Sequence, residues 1–328
     1  MSRPHATMFE QALASAVRAP SPHNTQPWRF VLDGETIEVW LDRERVLRVA
    51  DPLAREARLS CGAAAFNVVA HLRSEGIATV VRTIPDPGEP DLLAVIRLDG
   101  NAKVTQADRD LAEAVFRRHT NRRPFLDRLV PPATRVALES AALEEGGQVE
   151  FLDTSGRFST VTTLVRRAEA LQENDPAFQA ETASWIRHET EAPDGVPDSA
   201  AGPPPYGTRA VSLRASHANH ELPPREFEQD PVLAAVLTRD RGPHAEVRAG
   251  MAMQHVLLTA TAAGLATSFL SQPFETPQTR DALDRIFDGL GQAHTLLRIG
   301  YGQPTANTMR RAVADVLTHR ETPDVPVR

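Results

Sequence analysis

The chain has 328 residues, 41% of them hydrophobic, and a formal net charge of −7 at pH 7. This length is enough for one large domain or two ordinary ones, and the acidic balance disfavours nucleic acid as a partner. The single cysteine, Cys61, excludes a disulfide framework and a thiolate zinc cluster, and indicates a reducing compartment. Because the opening residues MSRPHATMFEQ lack an apolar signal core, we expect a cytoplasmic protein.

The first predicted elements are a helix and a hairpin. The amphipathic helix ends near Ala19, because Pro20 disfavours helical geometry in the residue before it. Polarity then alternates over 28–32 and 37–41 around an Asp-Gly turn, which predicts a β-hairpin. Further along the chain we expect a helix over about 55–74 and strands over 78–84 and 92–98.

The connection RAPSPHNTQPW, residues 18–28, is longer than a helix and a strand require. Its three prolines fix the backbone, so Ser21, Asn24 and Gln26 form a rigid polar strip. Amide side chains offer both donors and acceptors, which suits a heterocyclic edge with carbonyl and NH groups. The alternative is that these side chains only form turns and caps.

A basic motif, FRRHTNRRPF at 116–125, ends the next predicted helix. Four arginines stand within seven residues beside His119 and Thr120, and such like charges repel unless solvent or an anion compensates them. The motif is therefore either a solvated turn or a phosphate site. Arg310 and Arg311, near the C-terminal end, could add a second basic arm.

The second half continues with a helix over 130–143 and a strand over 149–152. A long polar and proline-rich region follows, and its part from 184 to 224 is either a covering flap or a mobile insertion. His217 and His220 lie in that part with poor metal-ligand spacing, so we expect no metal site.

An uncharged run over 249–274 is long enough to suggest a membrane span. Gln254, the repeated threonines and the central Gly264 favour a buried helix followed by a buried strand instead. We therefore expect no membrane association.

An internal repeat relates this run to the first half of the chain. Six identities fall at one offset of 188 positions, including Gly62 with Gly250 and Gly76 with Gly264. Chance similarity of small-residue helices is the alternative. The repeat predicts two halves of one plan, resembling a fused dimer, and RAPSPHNTQPW has only a weak counterpart in the second half.

The sequence offers binding groups without a proton-transfer centre. It contains no dinucleotide glycine fingerprint, no P-loop and no GxSxG nucleophile motif, and Cys61 is expected to pack in a helix. This pattern is typical of a protein whose cofactor performs the chemistry.

Four motifs together resemble the nitroreductase superfamily of FMN proteins, and more closely its Acg-like branch. They are APSPHNTQPWRF, RRHTNRRPF, GMAMQHVLLTATAAGLATSFLSQPF, and RIGYGQP followed by MRR. The resemblance implies an α+β fold of two tandem, diverged halves, 1–105 and 106–328, that form a pseudo-dimer with antiparallel-rich sheets flanked by helices. It also implies a lid over 181–224 and one FMN per chain, with the protein able to act as a monomer.

The resemblance also implies the flavin contacts. From the first half these are Pro20, Ser21, Pro22, Asn24, Gln26 and Trp28; from the second half they are Arg118, His119, Thr120, Arg122, Leu270, Ser271, Gln272, Arg310 and Arg311. The arginines would hold the phosphate, and the backbone near Ser271 would face flavin N5. His23 is either a substrate contact or a structural side chain.

These expectations lead to two functions of different classes. The first is an FMN-dependent oxidoreductase that passes electrons from NAD(P)H to a small oxidised substrate, which includes a redox step in specialised metabolism if the pocket is roomy. The second is a protein that sequesters FMN beneath its lid. The two functions differ in whether the lid lets a hydride donor reach the face of the flavin.

Overall fold

The computed structural model describes residues 3–152, 156–188, 191–200, 203, 231–303, 305 and 307–320. The first half contains α1 (Arg3–Ala16), β1 (Trp28–Asp33), β2 (Thr36–Leu41), α2 (Arg55–Ser74), β3 (Ile77–Thr83) and β4 (Leu92–Asn101). These elements agree with the predicted helix, hairpin, helix and two strands to within a few residues.

The second half begins with α3 (Gln106–Arg117), β5 (Phe125–Leu126), α4 (Pro132–Glu144), β6 (Gln148–Phe151), α5 (Arg157–Glu173) and α6 (Pro176–Ser184). It continues with β7 (Ile186–Arg187), β8 (Val196–Pro197), β9 (Val232–Thr238), α7 (Pro243–Ala262) and β10 (Ala266–Phe269). The last elements are α8 (Gln272–Glu275), α9 (Pro277–Ile286), β11 (Gln292–Gly302) and β12 (Leu317–His319).

Two antiparallel-rich sheets share one strand order. The first sheet runs β12-β1-β2-β4-β3, and the second runs β10-β11-β9-β6 with β5 added on β11. Counted from its other edge, the second sheet is β6-β9-β11-β10. These four strands take the positions of β1, β2, β4 and β3 in the first sheet. The C-terminal strand β12 pairs in parallel with β1, where Phe30 faces Leu317, so the last residues of the second half complete the first sheet. The α+β class expected from the sequence is confirmed.

The helices α2 and α7 pack against each other in the main hydrophobic core, which includes residues of both sheets. Their closest approach is at Gly62 and Gly250: a Cβ added at Gly62 would overlap the Val247 carbonyl oxygen, and one at Gly250 would overlap the Leu59 carbonyl oxygen. Only glycine lets the two helices come this close. The predicted buried helix over the uncharged run is therefore α7, and it lies at the centre of the molecule.

Several elements were not predicted, namely α5, α6, α8, α9, β5, β7, β8, β9 and β12. The region after β6, expected to be polar and irregular, contains α5 and α6, and α5 packs Val161, Leu164 and Val165 on the second sheet. The strand β9 is buried on both faces, so its sequence VLAAVLT shows no alternation of polarity. Without the two-residue alternation of polar and apolar residues, the sequence does not show that this segment is a strand.

Candidate functional site

The backbone of the opening connection, residues 18–28, is curled rather than extended. A single helical turn, Pro22–Asn24, follows α1 and Pro20, and φ is positive at His23 (48°), Asn24 (57°) and Gln26 (53°). Non-glycine residues adopt this left-handed geometry at a cost, so three in four positions indicate a conformation imposed by the surroundings. The Ser21 Oγ accepts a 2.9 Å hydrogen bond from the Gln26 backbone N–H and closes the curl.

Asn24 joins this connection to two other parts of the chain. Its Nδ2 donates to the Gly195 carbonyl oxygen at 3.0 Å and to the Met309 carbonyl oxygen at 3.1 Å. Its Oδ1 is buried, and no donor among the described residues reaches it. A buried acceptor without a donor costs free energy, so this oxygen is a ready partner for a ligand N–H.

Gln26 is fully buried and makes a similar junction. Its Nε2 donates to the Pro193 carbonyl oxygen at 2.8 Å and to the Asn24 carbonyl oxygen at 3.3 Å. Its Oε1 accepts from the Arg311 backbone N–H at 2.8 Å. Both polar atoms of the Gln26 amide thus have hydrogen-bond partners within the protein. This suits a side chain that joins separate segments of the chain.

Three arginines converge beside the connection. The Arg118 side chain is 5% exposed and donates to the Arg18 carbonyl oxygen at 3.2 Å, while Arg310 Nη2 donates to the Ala19 carbonyl oxygen at 3.4 Å. Burial, together with the charge of Arg18, lowers the pKa of Arg118 to about 10. Burial also lowers the pKa of Arg310 well below its ordinary value, and the charges of Arg118 and Arg18 lower it further. We call Arg18, Arg118 and Arg310 the arginine cluster.

The arginine cluster has the properties of an anion site. Within the described ranges, Arg118 Nε and Nη1 and Arg310 Nε are buried without a hydrogen-bond partner, and neither guanidinium forms an ion pair. Unpaired buried cations that repel one another are costly, and a dianion such as phosphate would compensate their charge and accept their hydrogen bonds. These residues therefore fit the phosphate of a cofactor.

The rest of the basic motif is docked on the second sheet. Thr120 forms a parallel bridge with Thr267, and the Asn121 backbone N–H donates to the Thr267 carbonyl oxygen at 2.8 Å. Buried Arg298 on β11 donates to the carbonyl oxygens of Asn121 and Arg123 at 3.1 and 2.8 Å. These contacts fix the direction in which Arg118 leaves the end of α3.

The other basic residues point to different partners. His119 Nδ1 lies 2.9 Å from the Arg117 carbonyl oxygen. Arg122 Nη1 donates to the Ala200 carbonyl oxygen at 3.3 Å, which lies in the predicted lid. Arg311 Nη2 donates to the Asp315 carbonyl oxygen at 2.8 Å, away from the arginine cluster. Of the four predicted phosphate ligands, the structure brings together Arg118 and Arg310.

Leu270, Ser271 and Gln272 follow β10 and begin α8. The Leu270 backbone N–H donates to the Leu296 carbonyl oxygen at 3.0 Å, and the Gln272 carbonyl oxygen accepts from Gln172 Nε2 at 3.3 Å. These two hydrogen bonds lie within the second half. Their position beside a flavin stays a prediction.

Two further predicted residues, Trp28 and His23, are buried in the first half. Trp28 is fully buried at the start of β1, and His23 is 6% exposed within the curl. Of the predicted lid, residues 189–190, 201–202 and 204–224 lie outside the described residues, and so do His217 and His220.

Sequence reasoning missed two groups of residues. Arg18 stands first in the connection but has no binding role among the sequence predictions, although its charge acts on the predicted phosphate ligand Arg118. Arg45 and Asp194 form an ion pair between the first half and the predicted lid, 2.5 Å from Nη2 to Oδ2, over a separation that no local pattern reveals.

No protein-family model matches the chain. A Mycobacterium tuberculosis protein named "Putative NAD(P)H nitroreductase" is 34% identical over 329 residues, covering 96% of this chain and 92% of the relative. The "Putative NAD(P)H nitroreductase acg" of the same organism is 30% identical over 319 residues, covering 94% of this chain and 95% of the relative.

Among solved structures, an FMN-bound nitroreductase from Desulfitobacterium hafniense is 13% identical with a TM-score of 0.41, covering 65% of this chain and 98% of that one. The described part of the chain contains no helix with the length and apolarity needed to cross a bilayer.

The strand order defines an α+β protein of nitroreductase-like fold, and the arginine cluster contributes buried donor atoms that have no hydrogen-bond partner among the described residues. The chain belongs to the nitroreductase family represented by the mycobacterial relatives. The resemblance carried by the four sequence motifs is thereby confirmed.

Proposed function

We propose that the protein binds one FMN per chain and transfers electrons from NAD(P)H to a small oxidised substrate. The observation that carries the proposal is the arginine cluster, whose buried donors lack a hydrogen-bond partner among the described residues and suit an anion. Bound FMN would supply hydride acceptance and release at its ring system, which no side chain can provide. The names of the mycobacterial relatives support NAD(P)H as the electron source.

The chain's own residues would bind and orient the cofactor. Arg118, Arg310 and Arg18 would neutralise the phosphate, and the buried Asn24 Oδ1 would accept a hydrogen bond from a ring N–H. Gln26 would keep the curl, the lid and the C-terminal arm in place around it. Pro20, Ser21 and Pro22 would hold the backbone that forms the wall.

We also propose that the chain is a fused pair of halves, 1–105 and 106–328, that can act as a monomer. The common strand order of the two sheets and the glycine contact between α2 and α7 support this arrangement. Because the curl with positive φ occurs at 18–28, while the equivalent connection before β6 reads EEGGQ, only one flavin site is expected.

Anaerobic mixing of the yellow protein with NADPH or NADH tests the electron transfer. Bleaching of the flavin absorbance within seconds is the result that we expect from an oxidoreductase. A protein that purifies colourless and takes up no FMN would contradict both the oxidoreductase and the binding proposal.

A second candidate is sequestration of FMN, and one observation favours it. The carbonyl oxygens of Pro193 and Gly195 in the lid accept hydrogen bonds from Gln26 and Asn24, so the lid lies directly on the proposed flavin wall. A lid in that place would keep a nicotinamide from the flavin. Resistance to NAD(P)H, combined with reduction by dithionite, would support this candidate over the first.

A further inference from the structure

Two short stretches of the predicted lid lie against each other near the proposed site. We call residues 185–188 and 191–197 the lid loop; Ile186 pairs in parallel with Val196, and the Val196 backbone N–H donates to the Trp185 carbonyl oxygen at 2.9 Å. Gly195 has a φ of +73°, and a Cβ there would come within 2.6 Å of the Trp185 carbonyl oxygen. The loop therefore depends on glycine at the position that faces Asn24.

A single carboxylate secures this loop. Asp194 Oδ2 lies 2.5 Å from Arg45 Nη2, and Asp194 Oδ1 accepts from Arg187 Nε and Nη2 at 3.1 and 2.8 Å. Both guanidiniums also lie over the Trp185 ring, 5.5 and 5.6 Å from its centroid. The side chain of Asp194 is 20% exposed, so these charge-assisted hydrogen bonds are only partly screened by water.

Asp194 is central to the contact between the lid loop and the flavin wall. Its chain neighbours supply the two carbonyl oxygens that Gln26 and Asn24 hold. Arg45, in turn, donates from Nε to the Thr25 carbonyl oxygen at 2.5 Å, so the arginine joins both surfaces. Release of this carboxylate would loosen all of these contacts together.

The same contacts reach the arginine cluster. Gln26 binds the lid through its Nε2 and the Arg311 backbone N–H through its Oε1. Arg310, the next residue along the chain from Arg311, belongs to the arginine cluster. The lid loop and the anion site are therefore joined through one buried amide.

We propose that Asp194 is the latch of the lid loop, and that entry and exit of a phosphate-bearing heterocycle require its release from Arg45 and Arg187. This inference rests on the proposed FMN site and adds the residues that set how long the ligand stays bound. Asp194 is a positioning residue in this account, because it acts through the carbonyl groups on either side of it.

The test compares Asp194→Asn with wild type by the rates of FMN association and dissociation, followed through the fluorescence of free flavin. We expect both rates to rise about tenfold with a smaller change in Kd, since loss of charge-assisted hydrogen bonds of this strength corresponds to about one decade. Asp198→Asn is the matched control, because the exposed Asp198 carboxylate lies in the same segment and contacts His188, with 3.0 Å between Oδ2 and Nδ1. Equal rates in Asp194→Asn and wild type would overturn the inference.

A second measurement tests whether Asp194 holds the lid loop in the absence of flavin. Trypsin cleavage after Arg187 in the ligand-free protein should be about tenfold faster in Asp194→Asn than in wild type, and unchanged in Asp198→Asn. Equal cleavage in all three proteins would also overturn the latch. If the wild-type protein binds no FMN, the proposed function is contradicted but the latch is not. The cleavage comparison, which needs no FMN, still tests whether Asp194 holds the lid loop. Arg45→Gln provides a second variant should Asp194→Asn fail to fold.

Discussion

Arg58 on α2 forms an ion pair with Glu246 on α7, with 2.5 Å between Nε and Oε2, and the two residues stand 188 positions apart. Gly62 and Gly250, at the point where the helices are closest, are separated by the same interval. In a twofold-symmetric dimer, residues near the axis contact their own equivalents in the partner. Here the equivalent positions lie in one chain and carry opposite charges, which supports the proposal of two fused halves.

The glycine contact gives the first prediction. Gly62→Ala places a methyl group against the Val247 carbonyl oxygen, which belongs to helix backbone and cannot move aside easily. We expect the free energy of unfolding to fall by about 1–3 kcal/mol, as for overpacked cores. Denaturant unfolding measures it, with Gly156→Ala as control, since a Cβ at Gly156 meets nothing within 4 Å. A loss no greater than that of the control would contradict the close approach.

The arginine cluster gives the second prediction. Arg118→Gln should weaken FMN binding at least tenfold, because a buried charge-assisted contact to phosphate is lost. Arg18→Gln should weaken it by a smaller factor, since Arg18 is less buried. Arg117→Gln is the control, because Arg117 belongs to the same motif but is exposed. If Arg117→Gln weakens binding as much as Arg118→Gln, the phosphate lies elsewhere.

A third prediction separates two arginines of one motif. Arg122 donates to the lid carbonyl of Ala200, whereas Arg118 belongs to the arginine cluster. We therefore expect Arg122→Gln to alter the rate of FMN release more than Kd, and Arg118→Gln to alter Kd. Parallel changes of rate and Kd in both variants would show that the two arginines share one role.

The fourth prediction concerns pH and two groups, Asp51 and His294, that line a cavity of about 20 Å³ near the start of α2. Burial raises the pKa of Asp51 to about 6, so between pH 3.8 and 6 the folded chain binds a proton that the unfolded chain lacks. Burial, with the charges of Arg55 and Arg241, lowers the pKa of His294 to about 4, so between pH 4 and 6.5 the unfolded chain binds the extra proton. The two groups therefore oppose each other: as the pH falls, Asp51 adds stability and His294 removes it.

Single variants should reveal these opposite pH dependences of the unfolding free energy. Relative to wild type, His294→Gln should gain about 2–3 kcal/mol of unfolding free energy as the pH falls from 7 to 4, and Asp51→Asn should lose a similar amount. Denaturant unfolding at each pH measures both. Variant curves that run parallel to wild type would contradict the assigned pKa directions.

Cys61 provides a fifth prediction. Its thiol is fully buried, donates to the Pro27 carbonyl oxygen at 3.3 Å, and has a pKa raised by burial. A thiol reagent should therefore label the native protein only as fast as it unfolds. Rapid labelling under native conditions would show that α2 opens locally.

Local patterns predicted much of the fold. The alternation around the Asp-Gly turn fixed the hairpin β1–β2, and the repeated helix-glycine-strand unit identified α2 with β3 and α7 with β10. The helix α5 and the strand β9 were missed for physical reasons: α5 carries arginines and threonines among its apolar residues, and β9 is buried on both faces. In α5 the apolar Val161, Leu164 and Val165 do follow helical spacing, but the polar residues between them make the region read as a loop, whereas β9 shows no alternation at all.

The sequence predicted several residues of the candidate site, but not which of them contact one another. RAPSPHNTQPW and the basic motif contain Asn24, Gln26 and Arg118, yet nothing local shows that Gln26 holds Pro193 and Arg311 or that Arg18 joins the arginine cluster. Those contacts depend on how the second half folds back over the first. Asp194 lies 149 positions from Arg45, so their ion pair could be seen only in the folded chain.

Fluorescence titration of ligand-free protein with FMN tests the central claim most directly. The account predicts saturation at one FMN per chain in wild type and a Kd at least tenfold weaker in Arg118→Gln, with both proteins equally folded. Saturation at two FMN per chain, no binding at all, or an unchanged Kd in Arg118→Gln would contradict it.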